Sequence, residues 1–172
     1  MLESMIFDKR MLLILLAATL LTGCGVPGTQ RDPNSITIDE ATEVLQQAQA
    51  AAATGDMNTL CAIGDAPARC ETDWTMRGGA DAVPSEAPTI VTSRVLPTRQ
   101  LPDGDWEIGG RVLVLKGTDG LGRPYCTDFL VFAPSGQRLA AFQPVYWSGM
   151  GIAQHGADGA ATSNNSRPWC EE

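Results

Sequence analysis

Few residues in this chain are equipped for chemistry. His155 is its only histidine and lies in a Gly-rich stretch, with no Gly-x-Ser-x-Gly elbow before it. A nucleophile activated by a histidine base therefore lacks its parts, and His155 reads as a solvated loop side chain. Gly117-Thr118-Asp119-Gly120-Leu121-Gly122 has the glycines of a phosphate loop, but no helix pattern and no Gly-Lys-Ser/Thr follows. It reads as a hairpin loop. Asp128 is more suggestive, because it interrupts the apolar run Tyr125 to Phe132. A carboxylate aimed into a sheet concavity has a raised pKa and can act as a base. Residues 125 and 128 differ in parity, so Tyr125 and Asp128 fall on opposite faces of an unbulged strand. Asp128 then shares its face with Cys126, Leu130 and Phe132. The favoured role is a carboxylate at an edge or facing solvent, paired with an arginine such as Arg111 or Arg138. Trp106, Tyr125, Tyr146 and Trp147 are candidates for lining an apolar pocket, against the commoner role of core or rim aromatics.

The chain has five cysteines. Cys61 and Cys70 are separated by eight residues, which is not zinc spacing, and one histidine cannot complete a site. No metal and no cofactor is expected. Cys24 stands apart. Lys9-Arg10 precedes the uncharged apolar run Met11 to Thr22, the layout of a secretory signal. That run is about 12 residues, against about 20 for a spanning helix. Leu21-Thr22-Gly23-Cys24 resembles the lipobox of bacterial lipoproteins, in which small residues admit the peptidase to the backbone. The resemblance implies that residues 1–23 are removed and that the Cys24 thiol accepts a diacylglyceryl group. Two acyl chains suffice for stable anchoring. The expected location is the bacterial cell envelope, on the outer face of a membrane.

Export to an oxidising compartment makes the remaining four cysteines read as two disulfides. Three pairings are possible, and Cys61–Cys70 with Cys126–Cys170 is favoured. Loops of these sizes are worth about 3 and about 4 kcal/mol in the chain-entropy account. The net charge of −8 argues against nucleic acid as a partner. The expected partners are the membrane, through the Cys24 lipid, and an envelope protein or small apolar ligand.

These residues need a scaffold. Residues 24–35 read as a flexible tether. Thr37 and Glu40 form a capping box, and Ile38, Ala41, Leu45, Ala48 and Ala52 recur at helical spacing up to Thr54-Gly55. Asp56 caps a second short helix carrying Met57, Leu60 and Cys61. Residues 64–88 read as a short helix or irregular connection pinned by Cys70. Four strand regions follow, Thr89 to Pro97, Trp106 to Lys116, Tyr125 to Ala133 and Gln137 to Trp147. The turn signals Pro102-Asp103-Gly104, Asp119-Gly120 and Pro134-Ser135-Gly136 separate them, as in an antiparallel meander. The expected class is α+β, with N-terminal helices packed on a curved antiparallel sheet of four or more strands over residues 36–149. Residues 150–172 form a polar tail pinned by Cys170.

This order of elements resembles the cystatin-like roll of the nuclear-transport-factor-2-like superfamily. The resemblance implies a concavity at the open end of the roll. Ketosteroid isomerases and polyketide cyclases of that superfamily use a pocket Asp and Tyr, which would make Asp128 a base. The first expectation is a non-catalytic binding or interaction module. The second is an isomerase or cyclase with Asp128 as base, and the third a purely structural lipoprotein.

Overall fold

The computed structural model describes residues 31–100, 104, 106–135, 138–152, 154–155 and 161–162. The expected signal segment, Cys24 and Cys170 lie outside the described residues, as does most of the expected polar tail.

The first helix, α1 (Ile38–Ala53), starts where the sequence requires. Thr37 Oγ1 accepts from the Glu40 amide, and Glu40 accepts in return from the Thr37 amide. Ala41, Val44, Leu45, Ala48, Ala51 and Ala52 make its buried stripe, and the alanines let the helix approach the sheet closely. Ile38, expected on that stripe, is instead 47% exposed. Helix α2 (Met57–Cys61) is capped by Asp56, whose side chain accepts from the Asn58 amide. Helix α3 (Pro67–Arg77) is the short helix expected within residues 64–88. Proline stands at its start, where a missing N–H costs nothing. The Cys61–Cys70 disulfide joins α2 to α3, as expected.

The class is α+β. A four-stranded antiparallel sheet has the order β1-β4-β5-β6, with β1 (Thr89–Leu96), β4 (Gly110–Thr118), β5 (Pro124–Ser135) and β6 (Arg138–Ala141). This is the expected meander, with three changes. The second strand region splits. Trp106–Glu107 (β3) pairs with Arg99–Gln100 (β2) in a separate hairpin, and the sheet strand starts only at Gly110. The break falls at Gly109, where a Cβ would run into the Leu96 carbonyl, the Thr98 amide and Pro33. The fourth region is shorter than expected. β6 ends at Ala141, and residues 143–148 are buried without being strand. Pro144 has no N–H to offer a ladder. The segment nonetheless covers the edge of β5 that β6 leaves open. Phe142 N donates to Leu130 O and Asp128 N to Met150 O, both at 2.9 Å. Third, Arg31 to Ser35, read as tether, belong to the folded domain, with a 3-10 turn at Pro33–Ser35.

Alternation sorts the strand residues between two faces. Leu113 pairs with Phe129 and faces the helices. Val112 pairs with Leu130 and faces away. Residues 112 to 115 are all fully buried, so β4 reads as a continuous apolar run rather than an alternating one. Two hairpin arginines lock the helices to the sheet. Arg123 Nη2 donates to the Arg77 carbonyl and Arg138 Nη2 to the Ala62 carbonyl, each at 2.6 Å. Both carbonyls are unpaired ends of helices, α3 and α2, where a cation also suits the dipole.

Candidate functional site

Three of the four aromatic pocket candidates meet under the helices. Tyr125 comes from β5, and Tyr146 and Trp147 come from the buried segment after β6. Trp74 of α3 completes the group. The rings of Tyr146 and Trp147 cross edge to face at 4.9 Å, those of Trp74 and Trp147 at 5.7 Å, and those of Tyr125 and Tyr146 at 6.5 Å. Such pairs add about 0.5–1.5 kcal/mol each beyond area. Trp106 belongs to the separate β2–β3 hairpin, not to the sheet that carries the other three.

The cluster is closed. All four rings are buried, and the Tyr125 hydroxyl lies against Gly117 in the space a side chain there would need. Two polar atoms pay no heed to pairing rules: Tyr125 Oη and Trp147 Nε1 are buried with no hydrogen-bond partner among the described residues. Burial raises the pKa of the Tyr125 hydroxyl, with a further push from Tyr146 and Asp119. Burial alone pushes Tyr146 up to about 12. Both phenols are therefore neutral at physiological pH and poor bases.

Asp128 sits on the opposite face of β5, as its parity requires. It is buried, not solvent-facing. Its partner is Arg94 of β1, at 3.0 Å, and the Ile152 amide donates to the same Oδ2 at 2.9 Å. The partners expected from sequence are engaged elsewhere. Arg111 Nε donates to the Ile36 carbonyl and Arg138 to the Ala62 carbonyl. Register explains the choice. Asp128 of β5 pairs with Val114 of β4, and Arg94 of β1 with Val112 of β4, so the two side chains meet diagonally over the same face. Tyr125 and Asp128 are thus separated by the sheet itself, and a shared acid–base pair of the isomerase kind is not assembled.

Sequence reasoning missed a second buried carboxylate. Asp73 accepts from Gln143 Nε2 at 2.9 Å, and the same amide group lies against the Met150 sulfur. The signal was present: Cys70, Asp73 and Trp74 follow helical spacing and form the buried stripe of α3. His155 lies in a two-residue strand, Gln154–His155, paired with Ala161–Thr162. Cys126 is disulfide-bonded, and its partner lies outside the described residues.

The hairpin loop between β4 and β5 is a structural joint, not a phosphate cradle. Asp119 accepts from the Leu121 and Arg123 amides and from Arg123 Nε at 2.7 Å. Burial works to raise its pKa, but the Arg123 amide and guanidinium outweigh it and hold the carboxyl below its ordinary value. Gly120 sits so close to the Asp81 and Val83 carbonyls that any Cβ would collide with them.

Among the described residues no group of three or more side chains could hold a metal ion, and no helix is long and apolar enough to cross a membrane. No family model, curated protein or solved structure matches the chain.

Proposed function

We propose that this protein is a lipid-anchored envelope module that works by binding a neighbouring protein and carries out no reaction. Anchoring rests on the lipobox-like Leu21-Thr22-Gly23-Cys24 and the charged and apolar segments before it. The order of helices and strands supports the cystatin-like roll as the scaffold. One observation carries the rest. The carboxylate that an isomerase or cyclase would use, Asp128, is tied to Arg94 and the Ile152 amide on the sheet face opposite the aromatic cluster. The cluster itself is filled by its own rings, which favours a protein partner over a small apolar ligand.

The test has two arms. Cys24→Ser should move the protein from the membrane fraction to the soluble one, abolish incorporation of an alkynyl fatty acid, and leave the melting transition of the domain unchanged. A variant that remains acylated overturns the anchoring. Native mass spectrometry of the wild-type protein should show no bound small molecule. A stoichiometric apolar ligand would restore the pocket reading.

A further inference from the structure

The point at which the chain joins the folded domain is fixed. Both carboxylate oxygens of Glu40 accept from the Arg31 guanidinium, at 2.9 and 3.1 Å. Arg31 also donates to Ser35 O and Oγ, and Asp32 caps the turn through the Asn34 amide. The Arg31 bond and the Thr37 amide hold the Glu40 carboxyl down to about 2. Arg111 of β4 ties this corner to the sheet through the Ile36 carbonyl. Pro33 sits by Gly109 and Leu96, at the end of the sheet where β1 finishes and β4 begins. The β4–β5 hairpin loop is at the other end.

Two lengths can now be compared. From Gly110 to Thr118 β4 covers eight steps, about 27 Å at strand rise, and the hairpin loop lies beyond. Arg31 is seven residues past Cys24, which is at most about 25 Å in any conformation. A leash attached at one end of the domain, and no longer than the domain, cannot turn the far end to the bilayer. We infer that the corner formed by Arg31 to Ile38 is the surface that rests on the lipid headgroups, and that the hairpin end faces away from the membrane. The inference rests on Cys24 being lipidated.

Exposed apolar side chains occur at both ends of the domain, so the leash length and not apolar exposure decides which end meets the membrane. Ile38 is 47% exposed at the first position of α1, beside the attachment point. Leu121, 51% exposed, is at the opposite end, in the loop that contacts the end of α3. Asp32 and Asp39 flank Ile38 and are exposed, so the contact suits zwitterionic headgroups and is weakened by anionic ones.

The experiment uses full-length acylated protein in phosphatidylcholine vesicles that carry nitroxide-labelled headgroups. Ile38→Cys and Leu121→Cys each add one free thiol at an exposed position, for an environment-sensitive fluorophore. Label at position 38 should be quenched several-fold more than label at 121, and the difference should shrink when phosphatidylglycerol is added. Equal quenching, or stronger quenching at 121, overturns the inference. A protein that carries no acyl mass and does not bind vesicles overturns the lipoprotein reading, and the orientation with it.

Discussion

On the helix side of the sheet, Leu113, Leu115, Phe129 and Val131 pack against three helices and the aromatic group of Trp74, Tyr125, Tyr146 and Trp147. On the reverse side, Val112, Leu130 and Phe132 cluster, among the described residues, with buried Leu96 and Ala140 and with the partly buried Ile108, Phe142 and Ile152. The large core leaves two polar atoms, Tyr125 Oη and Trp147 Nε1, without partners among the described residues. On the small side, the Asp128 carboxylate is bonded to Arg94 and to the Ile152 amide. Charge explains the contrast. A neutral hydroxyl or indole N–H left unpaired costs about 1–3 kcal/mol, which a large apolar core tolerates. A buried carboxylate left unpaired costs more, so Asp128 takes two partners.

The comparison breaks first at Trp147. Trp147→Ala removes the ring that touches both Trp74 and Tyr146, and should cost about 3–5 kcal/mol. Urea unfolding checks this through the midpoint at constant slope. A cost under 1 kcal/mol would mean that the aromatic group is not the centre of the helix-side core.

The reverse face should respond to charge, not volume. Asp128→Ala leaves Arg94, whose side chain is 23% exposed, without this anion. Breaking a fully buried pair costs about 3–5 kcal/mol, and the partial exposure of Arg94 lowers the expectation to about 2 kcal/mol. Because the Ile152 amide loses its acceptor as well, amide exchange of residues 150–152 should quicken in the variant. Unchanged exchange there would show that Asp128 does not hold that segment.

Loop docking comes next in size. Gly120→Ala drives a methyl into the Asp81 and Val83 carbonyls and should cost about 1–3 kcal/mol, the usual range for overpacking. The expected signature is loss of amide protection at Gly120, which donates to the Ala82 carbonyl at 3.1 Å.

Much of this was legible in the residues. The capping box at Thr37 and Glu40, the Asp56 cap and the Cys61–Cys70 bridge depend on short-range chemistry and appear as expected. So does the opposition of Tyr125 and Asp128, which follows from strand parity alone. The arginine that pairs with Asp128 was not legible, because it depends on the register of β1 against β4, including the irregularity between Ile90 and Thr92. The aromatic group was half legible. Its β5 and post-β6 members could be named, but Trp74 enters through the packing of α3, a long-range fact. The segment after β6 was misread as strand because apolar content alone does not separate a ladder from a buried connection. Pro144 was the residue that argued otherwise.

The mildest perturbations test the orphaned atoms and the pH limits. Tyr125→Phe deletes a buried hydroxyl that has no partner among the described residues, so stability should stay level or rise by about 1 kcal/mol. A loss of more than 1 kcal/mol would reveal that the hydroxyl is bonded after all. Titration gives the same contrast in another variable. The raised phenol pKa of Tyr146, about 12 against an ordinary 10.0, means that the folded state binds its proton more tightly. Its contribution is complete below pH 10 and is lost as pH rises toward 12. Glu40 runs the other way, at about 2 against an ordinary 4.5. Its contribution is complete above about pH 4.5 and is lost as pH falls toward 2. Glu40→Gln should make the acid limb of a stability–pH curve shallower, a limb that Asp56 and Asp119 share, and leave the alkaline limb alone. Tyr146→Phe should make the alkaline limb shallower, a limb that Tyr125 shares, and leave the acid limb alone. If both variants change the same limb, the two ends of the curve are not governed by the Arg31 corner and the aromatic core separately.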